Sequence, residues 1–386
     1  MPLPDLAADL AALDARGLRR QRRLLESPQS AHVVVDGRAA IGFCSNDYLG
    51  LAADPRVVAA ARDAAQRCGV GAGASHLVLG HAAPHHELEA TLARFVHLPR
   101  TLLFSTGYMA NIGIVTALVG RADAVFADKL NHASLNDAAL LSRADFRRYA
   151  HADLAALERL LAASKAPRKL VVSDAVFSMD GDIAPVPQLL QLCEGYDAWL
   201  LLDDAHGFGV LGEGGRGVLK HFNVASPRIV YMATLGKAAG VSGAFAAGEA
   251  DVIETLVQRA RTYIYTTATP PMLAHALIAS IGIIAAEGWR RDSLHRLIDQ
   301  LKRGTAGLRW QLMPSDTAIQ PLLIGDNAEA VRVAAALALR GIQVPAIRPP
   351  TVPQGTARLR ISLSAAHSEE DVAQLIDALH QVEKDS

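Results

Sequence analysis

Apolar positions along this chain fall into two rhythms. Between residues 100 and 248, short and nearly unbroken apolar runs alternate with stretches whose apolar residues recur every three or four positions. "RTLLFST" (100–106), "DAVFAD" (123–128), "RKLVVSDAVFS" (168–178), "AWLLLDDAHG" (198–207), "RIVYMAT" (228–234) and "GAFAAG" (243–248) read as strands, and "GYMANIGIVTALVG" reads as a helix. Strands with no polar face are covered on both sides. The alternation therefore predicts a mostly parallel sheet with helices on both faces.

Beyond about residue 275 the rhythm changes. Helical stretches ("LAHALIASIGIIAAE", "AEAVRVAAALALRG") alternate with short strands ("AIQPLLIG", "ARLRISL"), which predicts a smaller α+β unit. "IRPPTVPQGT" (347–356) is too rich in proline for a helix or a central strand and reads as a rigid loop. At the other end, Leu3, Leu6, Leu10 and Leu13 recur at helical spacing and predict an amphipathic helix. The expected organisation is an N-terminal helix with short strands (1–45) packing on the small domain, a large domain (46–275) and a C-terminal small domain (276–386).

Composition narrows the partners. With 38 Lys+Arg against 39 Asp+Glu the formal charge is −1, so the basic excess of a nucleic-acid binder is missing. Cys44, Cys68 and Cys193 form no CxxC pair and no disulfide framework, which suits a reducing compartment. No apolar stretch is long enough to span a membrane, and the N-terminal pattern is not that of a signal peptide. A soluble cytoplasmic protein is expected, with the basic run from Arg19 to Arg23 as a solvated face.

Candidate chemistry gathers where strands end. Ligands in such sheets bind at the carboxyl ends of the strands, and Gly107, Ser178, Asp203, His206 and Lys237 all lie at or just after such ends. A lysine among the small residues of "TLGKAAG" is costly to bury in its charged form. An acid ending "LLLDDAHG" needs a cation or donor to meet it; Asp203 and Asp204 both qualify, as helix cap, metal ligand or partner of a protonated ring nitrogen. A Schiff-base lysine with an aspartate on a pyridinium nitrogen is the pairing used with pyridoxal phosphate (PLP). "STGYMAN" offers small residues and a helix start to an anion, and Thr234, Thr266 and Thr267 offer hydroxyls. "GEGGRG" (212–217) matches a dinucleotide fingerprint but follows no long strand, and Lys237 stands where the acid belongs. "HAAPHHELE" (81–89) is not HExxH and reads as the solvated start of a helix. No metal is expected there, although the sequence leaves the role of His76, His81, His85 and His86 open.

Taken together, "SNDYLGLA", "GAGAS", "STGYMAN", "NHASL", "FSMDGDIAP", "DDAHGFGVLGEGGRG", "TLGKAAGVSGA" and "IRPPTVPQGTARLRISL" resemble the α-oxoamine synthases, a family of fold-type I PLP-dependent transferases. The resemblance runs from about residue 43 to 367. It implies a seven-stranded-type, mostly parallel sheet flanked by helices, with the smaller α+β domain and an N-terminal helical segment. It also implies a homodimer with PLP at the subunit interface. Lys237 would form the Schiff base and later act as the base. Asp203 would bind the pyridine nitrogen, His132 would stack on the ring, and Ser178 and His206 would bond near the ring oxygen. Gly107, Tyr108 and Thr234 would hold the phosphate end, with Thr266 or Thr267 reaching the partner subunit's cofactor. Asn46 and Arg348 would bind the amino-acid carboxylate, Thr351 would contact the acyl substrate, and Arg19 is the candidate N-terminal substrate arginine. Within the family, the final motif favours L-alanine and a pimeloyl thioester, carried by coenzyme A or acyl carrier protein, and so a step of biotin synthesis. The alternatives are a sister enzyme using glycine or serine, an oxidoreductase resting on "GEGGRG", and a binding protein without catalysis. Asp174 stands where many relatives have glutamate, and His76 where arginine is common.

Overall fold

A computed structural model describes residues 5–15, 19 and 22–385. A hairpin of β1 (His32–Val35) and β2 (Arg38–Gly42) comes first among the strands. The apolar runs that follow become one seven-stranded sheet: β3 (Arg100–Phe104), β4 (Ala124–Asp128), β5 (Asp145–Tyr149), β6 (Lys169–Asp174), β7 (Trp199–Asp203), β8 (Ile229–Thr234) and β9 (Ala244–Gly248). Its spatial order is β3-β9-β8-β7-β6-β4-β5. Only β9 runs antiparallel, between β3 and β8. Every residue of β4 and β9 is buried, as the lack of a polar face predicts. β5 was not legible as a strand: "DFRRY" sits on the sheet edge, its exposed Arg147 paired with Asp145 at 2.8 Å, and a charged edge strand carries no apolar signal.

The C-terminal strands β10 (Gln311–Leu312), β11 (Ile319–Gly325), β12 (Ile342–Gln343), β13 (Ala346–Ile347) and β14 (Ala357–Ser362) divide between two sheets. β12 pairs parallel with β2, so the N-terminal hairpin and the C-terminal segment share a sheet. The other four form an antiparallel sheet in the order β10-β11-β14-β13. The proline-rich segment leaves this sheet at its edge, from β13.

Two predicted features changed. The helix Leu6–Ala15 forms, but none of its residues is buried; Leu6, Leu10 and Leu13 are exposed, and Leu3 lies outside the described residues. The histidine-rich helix start is not simply solvated, because His85 is fully buried at the head of the helix Ala83–Val96.

What joins the C-terminal sheet to the large one is the turn Phe177–Asp182 after β6. Arg358 on β14 bonds Asp180 at 2.7 Å, with 3% of its side chain exposed. Ser315 and Thr317 both donate to the Gly181 carbonyl, at 2.8 and 3.0 Å. On the far side, His151 lies between Asp128 (3.1 Å) and Asp182 (3.0 Å) with its ring edge-on to Phe177. Both carboxylates push its pKa up to about 10, so it is an imidazolium at neutral pH. The turn is thus held by charged, largely buried bonds from both sides. Among the described residues no single helix is long and apolar enough to cross a membrane.

Candidate active site

Asp174, Asp203 and Thr234 end three neighbouring strands, β6, β7 and β8, and Lys237 follows three residues after β8. The in-register pair Asp174–Asp203 puts two buried carboxyls side by side. They are not equivalent. Asp203 accepts from Asn111 Nδ2 at 2.8 Å and from the Ala205 amide at 3.0 Å. Among the described residues, the Asp174 carboxyl accepts from the His132 amide, at 3.2 Å. Burial, reinforced by the charge of Asp203, raises its pKa well above the carboxylate range. Side chains alternate along a strand, which separates Asp203 from its neighbour: Asp204 is fully buried and takes bonds from the Tyr231 hydroxyl (2.7 Å) and the Val218 amide (2.8 Å). Asp204 is therefore part of the scaffold. So is "GEGGRG", since a Cβ on Gly217 would meet Asp204 Oδ2 at 2.3 Å.

Two chains of hydrogen bonds converge on this point. The first starts at Lys237, whose Nζ lies 3.1 Å from His206 Nε2. His206 Nδ1 lies 2.6 Å from the Tyr48 hydroxyl, and that hydroxyl reaches Asn46 Oδ1 at 3.2 Å. With the hydroxyl hydrogen directed to Asn46, Tyr48 accepts from His206 Nδ1–H, and Nε2 is left to accept from Lys237. Burial lowers the pKa of Lys237 and holds that of His206 well below the usual imidazole value; the lysine charge adds to the effect on His206. The second chain runs from Asp203 through Asn111 to Ser134 Oγ (2.8 Å) and on to His132 Nδ1 (2.7 Å). It fixes the ring of His132, which lies on the open side of the site and is solvent-exposed.

The helix Gly107–Leu118 starts at the same place, its first turn capped by Thr106 Oγ1 accepting from the Met109 amide at 3.1 Å. A Cβ on Gly107 would lie 2.5 Å from Thr234 Cγ2. Only glycine allows this approach, and it brings the helix N-terminus against the threonine. Tyr108 stands edge-on to His132 and donates to Asp137. Thr267 forms an isolated bridge with Ser75.

Asn46 and Arg348, expected to bind the amino-acid carboxylate, stand in different surroundings. Asn46 Oδ1 accepts from Arg360 Nη2 at 3.2 Å. Arg360 is 5% exposed, and its other nitrogens reach the Ser178 carbonyl (2.6 Å) and Ser362 Oγ (2.8 Å). Arg348 instead lines a cavity of about 1110 Å³ with Arg19, Thr351, Leu10 and Leu13. Arg360, Tyr48 and Asn111 were missed. Arg360 reads in "ARLRISL" as one of two ordinary strand arginines, and only its tertiary neighbours distinguish it. Asn111 left a fainter signal, four positions after Gly107 on the helix and hence on its face.

Residues 38–379 match the family model for class I and II aminotransferases. The 8-amino-7-oxononanoate synthase of Nitrosospira multiformis is 65% identical over 370 residues, 96% of this chain and 93% of that protein. The chain belongs to the 8-amino-7-oxononanoate synthase family. Its fold extends to the serine palmitoyltransferase of Sphingomonas wittichii, with a TM-score of 0.93 at 31% identity over 98% of this chain and 96% of the other. A structure of SPT with PLP matches equally, with a TM-score of 0.93 at 30% identity over 98% and 97% of the two chains.

The side chains described here fit that cofactor. Asp203 is a buried carboxylate (6% exposed) with two neutral hydrogen-bond donors and, among the described residues, no ion pair. A protonated ring nitrogen would supply the missing cation. The capped helix start at Gly107 and Thr234 offers a phosphate its backbone N–H groups.

Proposed function

We propose that this chain is a PLP-dependent enzyme that condenses L-alanine with a pimeloyl thioester. The products are 8-amino-7-oxononanoate, CO₂ and the free carrier thiol, in biotin synthesis. The reading rests on the membership above together with one observation, the buried and half-buried Lys237–His206–Tyr48–Asn46–Arg360 network beside Asp203.

Bound PLP supplies an electron sink that stabilises a carbanion at the amino acid's Cα. The protein's part is positional and electrostatic. Lys237 Nζ would hold the cofactor's aldehyde carbon and, once displaced by substrate, take the Cα proton. Its lowered pKa makes the neutral, basic form accessible. Asp203 would hold the ring nitrogen's proton. His132 would stack on the ring, and Ser178 and His206 would bond near its oxygen. Gly107, Tyr108 and Thr234 would seat the phosphate. Arg360 and Asn46 would bind the substrate carboxylate, the arginine through its planar fork, and so hold the Cα–H bond towards Lys237. The cavity bounded by Arg19, Arg348 and Thr351 would take the thioester, on coenzyme A or acyl carrier protein.

The functional unit is a homodimer. Leu77, Val78, Leu79 and Tyr265 are 51–89% exposed, a large apolar commitment to water for one surface region flanking the Ser75–Thr267 bridge. A second subunit would cover them and bring Thr266 or Thr267 to its cofactor's phosphate. The balanced charge and three free cysteines suit the cytoplasm.

The test is product identity. PLP-loaded protein given L-alanine and pimeloyl thioester should form 8-amino-7-oxononanoate by mass spectrometry. A product retaining the amino acid's carboxyl group would contradict the reading.

A further inference from the structure

The histidines around residue 80 take no part in the chemistry above, yet they are not scattered. Ligand atoms of His81, His86 and Glu89 lie within 4.8 Å of one another, as do those of His76, His81 and His85. These two groups differ in what is left to bind. Both ring nitrogens of His85 are committed, Nδ1 to the Ala82 amide (3.0 Å) and Nε2 to the Thr269 carbonyl (2.8 Å). His85 is structural. The other group is open. His86 and Glu89 sit three residues apart on the helix Ala83–Val96, and so on one face of it. His81 precedes the helix and turns Nε2 towards Glu89 Oε2, 4.0 Å away. That distance is too long for a hydrogen bond and leaves room for an ion between the two.

We propose that His81, His86 and Glu89 form a divalent transition-metal site, with zinc as the best-suited ion. Two imidazoles and one carboxylate are a ligand set zinc accepts, with an open fourth position. Donor atoms around a tetrahedral zinc stand roughly 3.4 Å apart for bonds of about 2.0–2.1 Å. Binding would draw the exposed His86 side chain in towards the other two and close the present spacing to that value. The hydrogen bonds that would orient these ligands are already built. His76 Nδ1 lies 2.9 Å from His81 Nδ1 and fixes that ring with Nε2 outward, while His76 itself stacks on Tyr263 at 5.0 Å. Glu89 Oε1 accepts from the Leu103 amide at 3.0 Å, which leaves Oε2 for the ion. Such outer partners orient metal ligands and set their affinity. All four side chains line one cavity of about 400 Å³, which gives the ion room and a way in. The site also abuts the segment that carries Thr266 and Thr267, because His85 of the same helix holds Thr269. Its occupant would stiffen that segment.

The experiment uses chelator-stripped, PLP-loaded protein with no amino acid present. It is titrated with Zn²⁺ by calorimetry and with Co²⁺ by visible absorption. The expected result is one saturable ion per chain, tetrahedral Co²⁺ bands, and a melting temperature that rises with Zn²⁺. His86 is exposed, so His86→Ala leaves the fold intact; it should weaken binding at least about tenfold, with Glu89→Gln doing the same. Binding that is absent, or unchanged in both variants, would overturn the site.

Discussion

The two ends of the candidate active site are built on opposite plans. At the cofactor end, Lys237, His206, Tyr48, Asn46, Arg360, Asp203 and Asn111 are held in continuous hydrogen-bond chains, mostly in the protein interior. They come from strand ends and the turns after them, the segment that follows β2, one capped helix and β14. At the far end, Arg19, Arg348 and Thr351 line a wide cavity, and they come from a proline-rich loop and an N-terminal segment whose helix buries nothing. Among the described residues, Arg19 pairs with Asp14 in an exposed ion pair, a kind of bond worth little in water. The rigid end suits chemistry that depends on the angle of one bond and the pKa of one amine. The looser end suits a long, flexible acyl chain and its carrier.

This difference also decides what could be read from the sequence. Strands β4, β6, β7, β8 and β9 were legible because strands buried on both faces read as unbroken apolar runs. The lysine and the acid were legible because each ended such a run. Asp203 and Asp204 could not be told apart by residue type, since only the alternation of the strand sends one to the site and the other to Tyr231. Arg360 was invisible for a related reason. Its function lies in contacts with Ser178 and Asn46, 182 and 314 residues away, which no local pattern records. Arg348 took the carboxylate role from the family resemblance of its motif, and it lines the cavity at the other end.

The comparison can be broken at several depths. Lys237→Ala should have the largest effect, abolishing the visible absorbance of the cofactor-loaded protein and lowering turnover by at least on the order of 10³-fold. A retained absorbance band after dialysis would remove the lysine from its role. Asp203→Asn keeps the shape but not the charge, and turnover should fall by roughly 10²–10³-fold, the scale of one lost electrostatic contact to the reacting system. Near-normal turnover would mean that another group holds the ring nitrogen. A smaller change is expected from Tyr48→Phe, which cuts the relay between His206 and Asn46. A buried polar group left without its partner costs about 1–3 kcal/mol, so kcat should drop about five- to 150-fold while the KM for thioester stays put. A raised thioester KM would show that the two ends are not separate.

The smallest effect expected is on stability. His151 ties the turn that carries Ser178, and its pKa is raised from 6.5 to about 10 by Asp128 and Asp182. A raised folded-state pKa gives stability that is complete below about pH 6.5 and is lost as the pH climbs through 10. His151→Gln should therefore destabilise by about 2 kcal/mol at pH 6, allowing for partial solvent screening, and by almost nothing above pH 10. Thermal melts at the two pH values test this. An equal loss at both would mean that the ring acts through packing on Phe177 and not through its charge.

The most direct test of the division between the two ends is a pair of Michaelis constants. L-Alanine and pimeloyl thioester would be titrated separately against Arg360→Lys and Arg348→Ala. Arg360→Lys keeps the charge but loses the fork, and it should raise the KM for L-alanine by about tenfold or more while leaving that for thioester nearly unchanged. Arg348→Ala should do the reverse. If Arg348→Ala instead weakened L-alanine and Arg360→Lys did not, the carboxylate would belong to the loop, and the division drawn here would be wrong.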